Sequence, residues 1–358
     1  MQVLFKTHYD QDIDHLAIRG ERFRILAAVG LALAAPLLID SYFVGELAIF
    51  LVYILAGLGL MVLIGFSGQV SFGHSAFLGI GAYAHSVLLG QGVPFLISLP
   101  AAALLAGLVG AALGRASSKM HGFYMAIATL AFAIVIETIL GEWTDVTGGH
   151  MGLEVPPMTI FGVDLGEPWQ QYYVILAVVL FCIWGLANLM RAPKGRMMIA
   201  VRDSETSARS LGVDIARVKI AAFFVSAMLT GLAGGLMAHL LFYISPETFG
   251  VNESLKLLLM VIVGGVGTIT GAIFGAVFVT VLPVAIAFLR ELLPTSLADM
   301  AGLEQFLFGG IIALFIIFEP EGLYGRWRKL RLFIETYPYY KRATFVRQKR
   351  YLKTGRFK

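Results

Sequence analysis

Charged residues and cysteine are both scarce in this chain of 358 residues. Only 14% of the side chains are charged, whereas water-soluble domains average about 25%. Hydrophobic residues make up 58%, and the mean hydropathy is +0.81. This balance excludes a water-soluble enzyme and indicates a protein embedded in a lipid bilayer. The one cysteine, Cys182, lies in an apolar run, which excludes intrachain disulfides and thiolate metal clusters.

Sequence signatures of catalysis are missing as well. None of the 7 histidines forms a zinc-binding pair four residues apart, and neither a Walker phosphate loop nor a GxSxG nucleophile turn is present. We therefore expect no catalytic residue, no metal site and no directly bound cofactor. His74 follows a glycine turn, and we expect it to pack within the fold rather than bind a ligand.

The few charges are concentrated at the two ends of the chain. Residues 326–358 hold 12 Lys and Arg against the single acid Glu335, whereas the whole chain carries only +4. Beside so much apolar sequence, this basic end is typical of a cytoplasmic flank that contacts membrane lipid, and we expect no nucleic-acid partner. An arm over a partner subunit and a solvated end are the alternatives. Residues 1–24 are polar and mixed in charge, which predicts a cytoplasmic N-terminal segment before an uncleaved anchor.

Apolar runs long enough to cross a bilayer of ~30 Å fill residues 25–325. The run from 254 is ambiguous, because Gly264-Gly265-Val266-Gly267 interrupts it and its first arm, 254–265, is short for a full span. Counting this run as two crossings predicts an all-α polytopic membrane protein with about ten transmembrane helices, including broken or re-entrant segments. The runs are 25–44, 47–66, 70–89, 93–114, 122–141, 172–190, 219–243, 254–290 and 304–320.

Charge in the connecting segments predicts the orientation. The segment 142–171 contains five acids and no Lys or Arg, so we place it outside. Both termini are then cytoplasmic. Glu137 lies in the apolar run before this segment. A carboxylate there either has a functional role or anchors the helix at the membrane interface. The basic residues that mark cytoplasmic connections are Arg115, Lys119, Arg191, Lys194, Arg196 and Arg202.

The longest polar interruption of the membrane domain is residues 191–219. Within it, residues 203–211 have the pattern of a short amphipathic helix, and Gly212 is placed to end that helix in a left-handed conformation. An ordinary solvated loop is the alternative, but connections of ~2–8 residues are usual. The small face that we expect to be exposed, and suited to a partner's groove, is Ser204, Ser207, Ala208 and Leu211.

Five stretches, in order along residues 45–320, resemble the permease subunits of ATP-binding-cassette (ABC) importers for branched-chain amino acids, of the LivM type. They are GFSGQVSFGHSAFLGIGAYA at 65–84, HGFYMAIATLAFAIVIE at 121–137, TGGHMGL at 147–153, GRMMIAVRDSETSARSLGVDIARVK at 195–219 and SPETFGVNESLKLLLMVIVGGVGTITGAIFGA at 245–276.

The resemblance implies an ABC importer permease fold over residues 25–325 and a location in a bacterial or archaeal cytoplasmic membrane. It also implies four partners: a second, LivH-like permease, two ATPase subunits that hold ATP and Mg²⁺, and an extracytoplasmic binding protein. Residues 191–218 would be the coupling loop. Where importer loops usually have Glu-Ala-Ala, this sequence has Glu205-Thr206-Ser207. The coupling residues carried over are Asp203, Glu205, Ala208, Leu211 and Gly212.

A translocation path for an aliphatic amino acid needs hydroxyls and free backbone groups at helix breaks. Two glycine-rich turns, 65–73 and 264–271, and the Thr147 turn supply them. The alternative for the glycines is close helix packing, because Gly267, Gly271 and Gly275 have GxxxG spacing. The predicted path residues are Ser67, Gly68, Gln69, Ser71, Gly73, Thr147, Gly148, Gly149, Gly264, Gly265, Gly267 and Thr268.

Other functions remain open at the level of sequence. Within the importer class, the solute is alternatively urea, an amide or another small carboxylated molecule. An ion-coupled secondary carrier would need buried ion ligands, which the sequence does not reveal. A scaffold or receptor would need no coupling loop.

Overall fold

The computed structural model describes residues 19–118, 120, 122–291, 309–311, 313, 317–319 and 321–336. Helices dominate this part of the chain, and glycine or proline lies at many of their ends. The longer helices are α1 Arg19–Leu38, α2 Ser41–Met61, α3 His74–Gly90, α4 Phe95–Ser117, α5 Phe123–Glu142, α7 Pro168–Arg191, α8 Pro193–Asp203, α10 Ile215–Leu241, α11 Val251–Gly264, α12 Ile269–Glu291 and α13 Gly322–Thr336; the short ones are α6 Thr144–Thr147 and α9 Glu205–Ser210.

Six helices in the described ranges are long and apolar enough to cross a membrane, so the predicted count of about ten is not confirmed. Helix breaks explain much of the difference. The predicted run 25–44 is divided between α1 and α2, and α3 begins at His74 rather than at residue 70. Helix α11 has only 14 residues. The six spans are Ser41–Phe66, Phe95–Ser117, Phe123–Glu142, Pro168–Arg191, Ile215–Leu241 and Ile269–Ile286.

Helices α2 and α10 form the centre of the subunit. In their most apolar stretches, 78% and 61% of the residues are buried, against 28% in α5 and in α7. Helix α10 packs mainly against α2, α3 and α4. Glycine permits the close approach: a Cβ on Gly59 would lie 2.8 Å from the Ser226 carbonyl oxygen, and one on Gly110 would lie 2.8 Å from that of Phe223. The more exposed apolar faces of α5 and α7 are left for lipid or a partner helix.

The all-α prediction misses four very short strands. β1 (Leu153–Glu154) pairs antiparallel with β4 (Tyr243–Ile244), which ties the segment after α6 to the end of α10. β2 (Thr159–Ile160) and β3 (Val163–Asp164) form a hairpin whose turn residues, Phe161 and Gly162, both have positive φ.

Two predicted segment boundaries fall inside helices. Helix α1 begins at Arg19, within the predicted N-terminal segment 1–24, and α13 continues across the predicted boundary between 325 and 326. Amphipathic sequence with several Lys and Arg residues continues the helix there. Most of the predicted span 304–320, and the tail beyond residue 336, lie outside the described residues.

Candidate functional site

The first helix break follows α2. A π-helical turn, Val62–Phe66, extends α2, Ser67 ends the helix, and residues 68–73 are then non-helical up to α3. The Ser67 hydroxyl donates to the Leu63 carbonyl oxygen at 2.7 Å, and the Gln69 amide donates to the Ser67 hydroxyl at 2.8 Å. Single π turns inside helices are frequent at functional sites. This break therefore places a hydrogen-bonded polar group inside the helix bundle.

The predicted path residues of this break are buried within the subunit. Ser67, Gln69 and Ser71 are at most 3% exposed. The Gln69 Oε1 atom is also buried and has no hydrogen-bond partner among the described residues. A Cβ on Gly73 would meet the backbone of Thr129 in α5, so Gly73 packs closely against its neighbour.

His74 joins the first break to α10, in agreement with the predicted packing role. Its Nε2 atom lies 2.9 Å from the Ser226 hydroxyl, which itself donates to the Gly59 carbonyl oxygen. Its Nδ1 atom lies 3.4 Å from the Ser71 hydroxyl.

The second break separates α11 from α12. Gly265 has φ +116° and Gly267 has φ +86°, conformations that side-chain-bearing residues rarely adopt. The backbone N–H of Gly271 donates to the Thr268 hydroxyl at 3.0 Å, at the start of α12. Gly264 and Gly275 are in close backbone contact with the facing helix, as expected from GxxxG packing.

The two breaks are in contact. A Cβ on Gly65 would lie 2.7 Å from the backbone nitrogen of Gly267, and that N–H points to the Met61 sulfur at 3.1 Å. The structure therefore brings together the glycines that the sequence places about 200 residues apart.

Arg202, at the end of α8, lies between both breaks. Its Nη1 atom donates to the Gly65 carbonyl oxygen at 2.9 Å, while Nε and Nη2 donate to Asp203 Oδ1 at 2.9 and 2.8 Å. A Cβ on Gly267 would lie 3.2 Å from Nη1, and one on Gly68 would lie 3.0 Å from Arg202 Cγ. From the sequence, Arg202 was predicted only to mark a cytoplasmic connection. The feature of the sequence that could have pointed to Arg202 is its position directly before Asp203, a predicted coupling residue.

The predicted coupling loop 191–218 is largely helical, as α8 and α9 with short links. Ser204 caps α9 by accepting a hydrogen bond from the Ser207 backbone N–H at 3.2 Å. Gly212 has φ +84° and ends the short helix as predicted. Ala208 corrects the prediction of an exposed face: it is 1% exposed, whereas Leu211 is 83% exposed. The helix faces inward at Ala208 because its small side chain permits close packing on α8 and α10.

Glu205 and Lys219 join α9 to α10. Lys219 Nζ lies 2.7 Å from Glu205 Oε1, and the lysine side chain is 3% exposed against 32% for the glutamate. Lys219 was not predicted from the sequence, although it is a charged residue at the fifth position of a long apolar helix.

Thr147, Gly148 and Gly149 lie apart from the two breaks. The Thr147 hydroxyl lies 2.7 Å from the carbonyl oxygens of Leu140 and Trp143. The first break instead contacts α5 at Thr129. Thr129 precedes Leu140 by eleven residues, which corresponds to ~16 Å along the helix. Gly148 and Gly149 both have positive φ and close this turn.

An acidic pocket of about 290 Å³ opens near the Thr147 turn. Half-buried Glu137 lines it, so the carboxylate that was predicted either to function or to anchor faces a polar space. The lining residues are Ile134, Glu137, Thr138, Glu142, His150, Pro246 and Glu247.

A second charged group missed by the sequence analysis lies in the first turns of α11. The Lys256 ammonium donates to the Tyr53 hydroxyl, lies 4.2 Å from the centre of that ring, and is 3.7 Å from Glu253 Oε2. This group ties the short helix α11 to α2.

Comparison with known proteins decides the family. The family model described as "Branched-chain amino acid transport system / permease component" matches residues 42–316, which is more than half of the chain. The chain belongs to this permease family. The resemblance drawn from the five sequence blocks is therefore confirmed, and the protein is a multi-pass membrane permease.

Individual relatives agree with the family match. The chain is 31% identical over 336 residues to "High-affinity branched-chain amino acid transport system permease protein LivM" of Escherichia coli (strain K12), covering 87% of this chain and 76% of the relative. It is 23% identical to a probable LivM permease of Methanocaldococcus jannaschii, covering 67% and 70%, and 24% identical to a probable LivH permease of the same organism, covering 79% and 92%. No solved structure matches.

Proposed function

We propose that this permease forms half of the pore of an ATP-driven importer for branched-chain or related aliphatic amino acids. The family match and the LivM and LivH relatives support the solute class and the pairing with a second, LivH-like permease. Two ATPase subunits supply ATP and Mg²⁺, and an extracytoplasmic binding protein delivers the solute. The chain itself is a transport subunit without catalytic residues.

The proposed orientation places α8 and α9 in the cytoplasm of a bacterial or archaeal cell. The Lys and Arg residues at 191–202 favour that side, and the acidic segment 142–171 favours the outer side. Both termini are cytoplasmic in this arrangement.

The contact between Arg202 and Gly65 carries the coupling mechanism. Gly65 lies in the last turn of the helix, where the final carbonyl oxygens lack intrahelical donors, and Arg202 supplies a charged donor at 2.9 Å. Arg202 is the penultimate residue of α8, two residues before the Ser204 cap of α9, so displacement of α9 by an ATPase moves the guanidinium. Both glycine breaks contact Arg202 and shift with it.

The path residues then change environment during the cycle. Ser67, Gln69 and Ser71 are buried here, and movement of the first break presents their polar groups to the passing zwitterion. Each ligand shifts the equilibrium between the two pore states only by its difference in affinity for them. Weak binding in the pore therefore suffices, because the binding protein provides selectivity.

Reconstitution of the complete importer in proteoliposomes tests this function. We expect labelled leucine uptake that requires internal ATP, both permeases and the binding protein, with urea and amides transported poorly. Uptake by this chain alone, driven by an ion gradient, would show a secondary carrier instead. ATP-dependent uptake of urea and not leucine would retain the importer and reject the solute.

A further inference from the structure

A second groove, about 500 Å³ in volume, opens at the end of the bundle that bears α8. Helices α4, α7, α8 and α10 form its walls. Apart from two cations, its lining is apolar, and it contains no acid among the described residues. The lining residues are Ala111, Leu189, Lys194, Met198, Arg217, Ile220, Ala221, Phe224 and Val225.

The groove extends from the bundle surface into the membrane-spanning helices. Ala111 lies six residues before the end of α4, and Phe224 lies nine residues after the start of α10, which corresponds to depths of ~9 and ~14 Å at helical rise. A soluble subunit docked on α9 does not reach that depth, whereas an acyl chain of the surrounding bilayer does.

The two cations lie where the groove meets the membrane surface. Lys194 is the second residue of α8, and its side chain is exposed. Arg217 is in the first turn of α10, where its Nε atom lies 3.0 Å from Asp214 Oδ2. The Arg217 side chain is 87% exposed, so its Nη atoms are accessible to a phosphate, which arginine binds through two parallel hydrogen bonds.

We propose that this groove binds one anionic phospholipid, with an acyl chain against Phe224 and Val225 and the headgroup phosphate between Lys194 and Arg217. Apolar depth together with cations at the rim matches both parts of such a molecule. The bound lipid bridges the first turns of α8 and α10, the two helices that hold Arg202 and Lys219. Lipid binding in this groove does not depend on which solute is transported.

Site-specific quenching tests the proposal in the assembled importer in nanodiscs. Phe224→Trp places a fluorophore in the groove. Its fluorescence is obtained by subtracting that of the unaltered importer, which contains other tryptophans. We expect brominated phosphatidylglycerol to quench it at a mole fraction at least tenfold lower than brominated phosphatidylcholine. Lys194→Gln combined with Arg217→Gln should abolish that preference. Arg209→Gln combined with Arg328→Gln removes the same charge from α9 and α13, which do not line the groove, and should preserve it.

Three results would overturn the proposal. They are equal quenching by the two lipids, a preference that survives the Lys194/Arg217 double variant, and a reporter that is quenched only when the ATPases are absent, which would assign the groove to a subunit interface. Lys194→Gln alone provides a second test in case the double variant misfolds, because the Lys194 side chain is exposed. It should weaken the preference severalfold, and full retention would be a fourth result against the site.

Discussion

Lys219 and Glu205 form an asymmetric ion pair, with 2.7 Å between Nζ and Oε1. The lysine side chain is 3% exposed and the glutamate 32%, so water solvates only one partner well. The stabilisation is therefore below the ~3–5 kcal/mol lost when a fully buried pair is broken. The pair nevertheless fixes α9 on α10, because a buried ammonium needs its acceptor.

This asymmetry predicts unequal effects of the two single substitutions. Glu205→Gln leaves a buried cation without its counter-charge and should lower the free energy of unfolding by ~1–3 kcal/mol. Lys219→Met leaves a carboxylate that water reaches, so its effect should be smaller, and the double variant should recover most of the loss. Thermal unfolding of the purified importer measures the loss of stability in each variant. Glu154→Gln, at an exposed residue of the segment 142–171, is the control. A larger effect of Lys219→Met would contradict the asymmetry.

A second prediction concerns Arg202. Arg202→Gln removes a charged hydrogen bond worth ~1.5–3 kcal/mol, which corresponds to about tenfold or more in the equilibrium between pore states. We expect uptake per ATP to fall by that factor while the ATPases still copurify and hydrolyse ATP. Arg202→Lys should not rescue uptake, because one ammonium does not reproduce the planar fork that holds Gly65 and Asp203 together.

Arg209→Gln is the matched control for Arg202, since Arg209 is an exposed cation on neighbouring α9. It should keep uptake per ATP near the unaltered value. Normal coupling in Arg202→Gln, or equal losses in both variants, would show that the Gly65 contact does not transmit the motion.

Local signals in the sequence predicted the helices, the glycine breaks and the left-handed end at Gly212. Apolar runs fix where a helix forms, and a positive φ favours glycine whatever the tertiary contacts. The number of crossings was not predictable in the same way. Six residues at 68–73 leave the helix, and the 14 residues of α11 are too few for an ordinary span.

Contacts between residues far apart in the sequence were the main feature that could not be predicted. Arg202 meets Gly65 across 137 residues, and Lys256 meets Tyr53 across 203, so no local pattern contains either contact. Ala208 illustrates a related difficulty: a small residue on a six-residue helix fits an exposed face or a packed one equally well. The packing of α9 on α8 and α10, which the local sequence does not reveal, is what buries Ala208.

Cysteine accessibility tests the proposed path. Cys182 is the only cysteine, so Cys182→Ala gives a cysteine-free background. Thr268→Cys should react with a small water-soluble thiol reagent at rest, because Thr268 is half-buried, whereas Ser67→Cys and Ser71→Cys should react only when ATP is trapped. Ser86→Cys, equally buried in α3, should stay unreactive in every state. Inertness of Ser67→Cys and Ser71→Cys in all states would favour a purely structural role for the first break.

Gly212 provides the last test, because its backbone conformation restricts substitution whereas the space around it does not. Its φ is +84°, yet an added Cβ would meet no atom within 4 Å. A substitution there is therefore strained by backbone conformation alone. Gly212→Val should cost more than ~1 kcal/mol and displace the exposed Leu211, so that ATP hydrolysis no longer drives uptake. Gly212→Asn should retain most uptake, because asparagine adopts the left-handed conformation more readily. Uptake and ATPase activity are measured together in proteoliposomes. If valine were tolerated as well as asparagine, the left-handed end of α9 would have no part in coupling.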